Sequence, residues 1–403
     1  MLPYVVKPGD TVLRIAQRFA INPTSLLATN PQIDVSSQLI PGLVLFIPSH
    51  AGTMYCVQQG DTFLRLASLF SMSLAALLAA NPFLDPKQLV PGQLLAIPLG
   101  GYHRIVDARA EYGYKELLQD MDALELEYPF LERVCIGQSV MGKPIYALRI
   151  GEGPRKVHFN AAMHANEWIT TPLLMTFIED AAGACSLSRK LGGVDMRALI
   201  EQVTLWFVPM VNPDGVELVQ EGLRHEHPHY AELLQWNRQS HRFTKWKANI
   251  RGVDLNDQFP AFWEEEVERR AVAGPGPRDY PGTAPLSEPE AKALAAFTTE
   301  QQFDLVVAMH TQGQEIYWNY RGYEPPEAES IAGRLGQASG YKPVKLRGSD
   351  AGYKDWFIYE YRKPGFTIEV GQGVNPLPIE SFPDLYDEVR PLLLAVIQTM
   401  CGK

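Results

Sequence analysis

The stretch Lys156-Val157-His158-Phe159-Asn160-Ala161-Ala162-Met163-His164-Ala165-Asn166-Glu167 decides the fold. Its first seven residues read as a buried strand, and a helix start is expected around 169–172. His164 and Glu167 then fall at the carboxyl end of a strand, where open α/β sheets place their sites. A His-x-x-Glu pair also offers a zinc ion one nitrogen and one carboxylate from a single turn. Two further apolar runs end in the same way: Leu305-Val306-Val307-Ala308-Met309 leads into His310, and Gly365-Phe366-Thr367-Ile368 into Glu369. His310 completes a His2Glu set with a fourth position open, as catalytic zinc requires. A carboxylate among apolar neighbours is costly unless it has a partner or a chemical task, which makes Glu369 the candidate general base.

Around these strands the pattern is that of an α/β sheet covered by helices. β-Branched runs at 156–162, 203–210, 305–309 and 365–370 alternate with helical stretches such as 171–182 and 288–301. The segment 264–286 is charged and then Gly/Pro-rich, so a surface loop is expected there, with Glu264-Glu265-Glu266 as an exposed helix face. A chain of 403 residues accommodates roughly two to three domains. The net charge of −10 argues against a duplex-binding surface, which needs clustered Lys and Arg. Hydrophobic residues at 46% and charged residues at 20% exclude wholesale disorder. No apolar run approaches the roughly 18 residues of a membrane span. Met1 to Lys7 shows no basic stretch followed by an apolar core, so no secretory signal is expected, and the compartment stays open. Cys56, Cys135, Cys185 and Cys401 lie far apart and are expected as buried thiols.

The front of the chain repeats. Tyr4-Val5-Val6-Lys7-Pro8-Gly9-Asp10-Thr11 returns as Tyr55-Cys56-Val57-Gln58-Gln59-Gly60-Asp61-Thr62, and Asn30-Pro31 as Asn81-Pro82. Pro41-Gly42-Leu43-Val44-Leu45-Phe46-Ile47-Pro48 returns as Pro91-Gly92-Gln93-Leu94-Leu95-Ala96-Ile97-Pro98. Each copy reads as strand, helix, helix, strand. The Gly-Asp-Thr turn supplies an aspartate or threonine N-cap, Leu13, Ile15, Ala16 and Phe19 follow at helical spacing, and Ser25 and Ser73 open a second helix. The copies resemble the LysM module, a small βααβ unit. That resemblance implies binding of N-acetylglucosamine-containing glycan such as peptidoglycan or chitin. The expected division is 1–50 and 51–100 as LysM modules, joined at 49–53, and 101–403 as one larger domain.

That larger domain resembles the zinc carboxypeptidase family over roughly 103–400. The match rests on His164-Ala165-Asn166-Glu167, Asn212-Pro213-Asp214-Gly215, Arg251-Gly252-Val253-Asp254-Leu255-Asn256, His310 and Thr367-Ile368-Glu369, in that order. The resemblance implies an α/β fold with a mixed sheet flanked by helices, and one Zn2+ per chain held by His164, Glu167 and His310. It also implies Glu369 as the base that activates water, and Lys247, from Lys245-Trp246-Lys247-Ala248-Asn249, as the cation steadying the oxyanion. Arg251, Asn256 and Asp355 match positions near the substrate.

Two departures bear on the substrate. Carboxypeptidases of the family follow that asparagine with an arginine that grips a terminal carboxylate; here Asp257 stands in its place, and a carboxylate suits an ammonium instead. Eight residues before Asp355, where the family carries a mobile tyrosine, stands Arg347, which can take a carboxylate bidentately. An ammonium reader beside a carboxylate reader suits the zwitterionic end of diaminopimelate. With the LysM-like modules, this resembles the γ-D-glutamyl-L-diamino acid endopeptidases, which cut the γ-D-Glu–diaminopimelate amide of muropeptides. Peptidoglycan and muropeptides are then the expected partners, without nucleic acid or a membrane span. The competing readings are a zinc carboxypeptidase on other peptides, a deacylase of the related zinc branch, and a wall-binding protein without activity.

Other polar landmarks have plainer expectations. Arg224-His225-Glu226-His227-Pro228-His229 reads as a solvated loop rather than a metal cluster. His158 is expected to satisfy a core hydrogen bond, and Asp355 competes between a site role and a strand or loop cap beside Trp356. Asn212 to Gly215 reads as a turn.

Overall fold

The computed structural model describes residues 104–186 and 190–401 throughout; before 104 it describes 2–6, 10–12, 15, 26–27, 29–33, 39–47, 53–69, 77–78, 81, 84–85 and 89–97. Leu13, Ala16, Phe19, Ser25 and Ser73, the joint at 49–52 and the exit at 99–101 lie outside the described residues. The chain divides into two units, Met1–Arg104 and Ile105–Lys403.

In the first unit, β1 (Leu2–Val5) pairs antiparallel with β2 (Val44–Ile47), and β3 (Thr53–Cys56) with β4 (Leu94–Ile97). A helix α1 (Phe63–Leu69) follows β3, and Thr62 Oγ1 caps it by accepting the Arg65 N–H at 3.1 Å. The repeated landmarks are the residues that close each copy. Asn30 Nδ2 donates to Leu26 O and Phe46 O, both at 2.7 Å, while Oδ1 accepts the Phe46 N–H at 2.7 Å. Asn81 repeats the bridge with Leu77 O, Ala96 O and the Ala96 N–H at 2.6–2.8 Å. One amide thus satisfies a helix end and the closing strand together, which no apolar residue could do. Around each bridge lies a small core: Val6, Val12, Ile15, Leu26, Leu39 and Leu45 in the first copy, and Val57, Phe63, Leu66, Leu77, Leu95 and Ile97 in the second.

The second unit begins with α2 (Tyr114–Glu127), β5 (Glu132–Gln138), β6 (Pro144–Ile150), β7 (Arg155–Asn160) and α3 (Thr170–Ser186). The short pair β8 (Lys190–Leu191) and β9 (Val194–Asp195), α4 (Met196–Ile200), β10 (Val203–Val208), α5 (Pro213–Glu221), α6 (Tyr230–Trp236) and α7 (Trp263–Arg270) follow. The chain ends with α8 (Pro289–Gln301), β11 (Leu305–His310), β12 (Glu315–Tyr317), α9 (Ala328–Ser339), β13 (Lys342–Val344), α10 (Tyr353–Tyr361), β14 (Gly365–Glu369) and α11 (Phe382–Met400). Eight strands form one mixed sheet in the order β13-β12-β14-β11-β7-β10-β6-β5. The inner four, β14, β11, β7 and β10, are parallel. All residues of β10 and β11 are buried, which is why those strands are apolar on both faces.

His158 on β7 points to the face covered by α8 and α10. There Nδ1 lies 2.8 Å from Tyr353 Oη and the ring stacks on Phe303, the core hydrogen bond expected of it. Phe159 points the other way, onto Phe207 at 5.2 Å, where α3 lies with every residue from Thr170 to Cys185 buried. The chain leaves β7 for β10 on one side, whereas β11 pairs on the other. The crevice between the carboxyl ends of β7 and β11 is therefore the topological switch point, the place an open α/β sheet offers a ligand.

Three expectations need correction. Segment 264–286 is not merely a loop: 263–270 is helix α7, and although Glu264 and Glu265 are exposed, Glu266 is buried because Arg269 and Arg270 pair with it. Asn212-Pro213-Asp214-Gly215 is the start of α5, with Asn212 Oδ1 accepting the Gly215 N–H at 3.0 Å and Pro213 in the first turn. Of the four thiols only Cys185 is buried; Cys56 closes a two-stranded ribbon and Cys135 lies on edge strand β5 at a register irregularity, and both are exposed.

Candidate active site

His164 is reached through a turn that the rest of the fold holds in place. Ala162 has a left-handed backbone, φ 46°, which costs an L-residue about 1–2 kcal/mol. Its N–H donates to Thr170 Oγ1 at 2.9 Å, its carbonyl accepts the Asn212 N–H at 3.1 Å, and Thr170 Oγ1 donates in turn to Glu167 O at 2.8 Å. Asn212 Nδ2 bonds both Met163 O and Ala248 O, and the Ala165 N–H donates to Lys247 O at 3.0 Å. The helix cap at Asn212 thereby joins the His164 turn to the Lys247 segment.

His164 and Glu167 cap and end the 3-10 turn Ala165–Glu167 that follows β7, and His310 converges on them from the end of β11. His164 Nδ1 lies 3.0 Å from Glu167 Oε1, His310 Nδ1 3.0 Å from Glu167 Oε2, and the two Nδ1 atoms 3.0 Å from each other; all three residues are buried. Asp254 Oδ1 sits 3.1 Å from His164 Nε2, which places the imidazole proton there and turns the Nδ1 lone pair inward. Two nitrogen lone pairs and a carboxylate facing one another repel unless a cation lies between them, so this donor set fits a metal ion. The local field shows the same demand. Burial is the strongest single influence and works against charging His164, but the Glu167 and Asp254 carboxylates together outweigh it and push the imidazole up to about 9. Among the described residues no other group of His, Cys, Asp or Glu converges in this way, and His225, His227 and His229 do not.

Glu369 ends β14 directly opposite His310 in the parallel register. Burial first, and then the Glu167 carboxylate, push its carboxyl up to about 8, the range in which one group can take and return a proton near neutral pH. Lys247 Nζ lies 2.7 Å from Asp254 Oδ2; burial opposes its charge most strongly, but the carboxylates of Asp254, Asp257 and Glu167 together outweigh it and raise its pKa, so it stays an ammonium.

The outer contacts of Glu167 include two residues that carried no motif. The Thr311 N–H donates to Glu167 Oε2 at 3.2 Å, and Asn375 Nδ2 lies 3.4 Å from Oε1 while donating to Thr311 O at 2.9 Å. Asn375→Ala is expected to weaken metal affinity about 10-fold or more, as loss of a partner that orients a metal ligand does. Competition against a chelating dye checks this, and an unchanged affinity would remove Asn375 from the site.

The residues expected at the substrate fall into two groups. Asp257 lies on the 3-10 turn Leu255–Asp257, three residues from Asp254, but not as an open ammonium reader: it is 2% exposed and both its oxygens meet Arg270, at 2.8 Å each. Asn256 Oδ1 accepts the Tyr353 N–H at 3.1 Å, tying that turn to the start of α10. Arg251 is half-exposed and sits 3.6 Å from Glu288 Oε2. Asp355 is buried in the first turn of α10, not in a strand or loop, and pairs with Lys354. Arg347 and Asp355 share a cavity of about 340 Å³ with Tyr320, Arg321, Lys345 and Lys354. The link from that turn to the cavity runs through α10: Asn256 holds Tyr353, and the next two residues, Lys354 and Asp355, line the cavity.

With that geometry in hand, the family is plain. A zinc carboxypeptidase profile matches residues 117–381, and a LysM domain profile matches 4–48 and 55–98. The chain belongs to the zinc carboxypeptidase family, as its motifs suggested. Over 392 residues it is 43% identical to γ-D-glutamyl-L-diamino acid endopeptidase 1 of Lysinibacillus sphaericus, covering 97% of this chain and 98% of that one. It is 41% identical over 290 residues to the uncharacterized protein YqgT of Bacillus subtilis (strain 168), covering 69% and 77% of the two chains. Among solved structures, bovine thrombin-activatable fibrinolysis inhibitor in complex with tick carboxypeptidase inhibitor superposes with a TM-score of 0.57, at 20% identity over 73% of this chain and 98% of that one. At that identity the likeness speaks for the fold alone.

Proposed function

We propose that the chain is a zinc peptidase of bacterial wall peptides, hydrolysing the γ-D-Glu–meso-diaminopimelate, or other L-diamino acid, amide of muropeptide stems. The observation that carries the chemistry is the inward-facing set of His164 Nδ1, His310 Nδ1 and the Glu167 carboxylate beside Glu369. The bond is supported by 43% identity along nearly the whole chain to a protein named for that activity. Residues 1–50 and 51–100 are taken as modules that hold N-acetylglucosamine-containing glycan, and 101–403 as the catalytic part.

His164, Glu167 and His310 would hold one Zn2+ per chain, which when bound would supply a Lewis acid for the amide carbonyl and lower the pKa of water. Glu369 accepts the proton of the attacking water and returns it to the leaving amine nitrogen as the C–N bond breaks. Lys247 keeps its ammonium beside Asp254 and offers a remaining N–H to the oxygen on which charge develops. Asp254 fixes the His164 tautomer.

The basic cavity suits the far end of the leaving residue, where diaminopimelate carries a second carboxylate. Arg321 pairs with Asp350, Lys345 with Glu324 and Lys354 with Asp355; among the described residues Arg347 makes no ion pair, and it is exposed. Arg347→Ala is expected to lower kcat/KM about 10-fold on the diaminopimelate tripeptide and to leave the lysine tripeptide, which lacks that carboxylate, unchanged. Equal losses on both would contradict the assignment. The function itself is tested by mass analysis after incubation with L-Ala-γ-D-Glu-meso-diaminopimelate and its α-linked isomer. Release of diaminopimelate from the γ-linked peptide alone supports the reading, and equal cleavage of both points to a general carboxypeptidase.

A further inference from the structure

We propose that Glu388 on α11 is a positioning residue for the general base: it closes a ring of hydrogen bonds with Tyr341, Gln314 and Gly371 that holds Glu369 opposite His310. The inference rests on the role given to Glu369 above and extends it to a carboxylate on a different layer of the fold.

Glu369 is the last residue of β14, so its side chain is fixed only as well as the backbone that leaves the strand. Two residues on, Gly371 turns the chain at φ 69°, a left-handed conformation, and a Cβ there would come 2.5 Å from Leu385 Cδ2 of α11. Both polar groups of Gly371 are gripped. Its carbonyl accepts the Gly313 N–H at 2.7 Å and the Gln314 N–H at 3.1 Å, and its own N–H donates to Tyr341 Oη at 3.1 Å. The two grips lead to one carboxylate. Tyr341 Oη donates to Glu388 Oε2 at 2.8 Å, and Gln314 Nε2 donates to Glu388 Oε1 at 2.9 Å. The circuit from Gly371 through Tyr341, Glu388 and Gln314 back to Gly371 is thus closed, and the Lys342 N–H braces it by donating to Gln314 O at 2.9 Å.

Gln314 follows His310 by four residues and Gly371 follows Glu369 by two. The ring therefore ties together the loops that leave β11 and β14, the strands that end in a metal-site histidine and in the base. An ionised carboxylate suits the far corner because it is acceptor-only with two oxygens, and so takes the Tyr341 hydroxyl proton and a Gln314 amide proton at once. That points the hydroxyl proton away from Gly371 and leaves an oxygen lone pair for the Gly371 N–H. A glutamine at 388 would present one oxygen and one NH2, and the NH2 would face a donor. Tyr341 is 2% exposed, so little water is at hand to replace a broken link at that corner. Glu388 acts only through this ring, on the backbone two residues beyond Glu369.

The test uses the zinc-loaded full chain on L-Ala-γ-D-Glu-meso-diaminopimelate. Glu388→Gln should lower kcat about 10-fold or more, because a misplaced reacting group loses rate steeply, while KM stays within about twofold and zinc content is unchanged. Tyr341→Phe should do the same. The two changes combined should lose about as much as the larger single loss, since both break one ring. The decisive reading is a cycle with Glu369→Gln, followed as product mass over long incubation. Once the residue at 369 can take no proton, adding Glu388→Gln should change kcat by less than about twofold, whereas a merely structural role would cost the same factor in both backgrounds. An unchanged kcat in Glu388→Gln, an equal loss in the Glu369→Gln background, or a loss that tracks zinc content would each overturn the inference. If Tyr341→Phe does not fold, the half-buried Glu388 and its cycle decide. If the wild type leaves the tripeptide intact, it is the proposed function that has failed, and this inference falls with it.

Discussion

Glu369→Gln should reduce kcat on the diaminopimelate tripeptide by about 10³- to 10⁴-fold, the upper part of the range for removing a positioned general base. The substitution keeps the size and planarity of the side chain and removes only its capacity to take a proton. Glu369 lies at the end of β14, opposite His310 and outside the His164–Glu167–His310 donor set. Zinc content should therefore remain at one per chain. The site pushes the Glu369 carboxyl up to about 8, so near neutral pH it already holds a mostly uncharged group, and a neutral amide of the same shape should leave Tm unchanged. Retention of more than a tenth of wild-type kcat in a zinc-replete Glu369→Gln enzyme would show that another group carries the proton.

The second large effect is expected from loss of the metal. The two Nδ1 atoms and the Glu167 oxygens lie about 3.0 Å apart, close enough to share one ion. A chelator should abolish hydrolysis and lower Tm, because a ligand present at about 1,000 times its Kd adds roughly 4 kcal/mol to the folded state. Zinc returned in stoichiometric amount should restore both. His310→Ala should mimic the stripped enzyme: it removes one of three protein donors, and neither activity nor Tm should respond to added zinc at the concentration that rescues the wild type. A His310→Ala chain that still gains Tm with zinc would place the ion elsewhere.

Much of this centre was legible in the residues. Apolar runs that end in His310 and Glu369, or lead into His164, mark strands buried on both faces whose carboxyl ends carry polar groups, and periodicity conveys that directly. The front repeat was legible as well, although what its asparagines do was not: Asn30 and Asn81 reach strands 15 or 16 residues away, a contact visible only once the copy is closed. Arg270 escaped for the opposite reason. Trp263-Glu264-Glu265-Glu266-Val267-Glu268-Arg269-Arg270 has the composition of a solvated helix, and only the distant partners Asp257 and Asp350 draw Glu266 and Arg270 inward. The same long-range pairing cancels the ammonium-reading role that Asp257 suggests when read beside its neighbours alone. Asn375 sits in a Gly-rich loop with no spacing signal, and its place beside Glu167 comes from the fold bringing residues 208 positions apart together. Local pattern thus reports strand ends well and charge partners poorly, because a charge is neutralised by whichever group the tertiary fold brings to it.

The most direct measurement is a zinc titration of the metal-free chain, followed by mass analysis of its products from L-Ala-γ-D-Glu-meso-diaminopimelate. The account predicts no cleavage at zero zinc, release of L-Ala-D-Glu and free diaminopimelate that rises linearly with added zinc, and a plateau at one equivalent per chain. Intact tripeptide at one equivalent, or cleavage that does not depend on zinc, would contradict it.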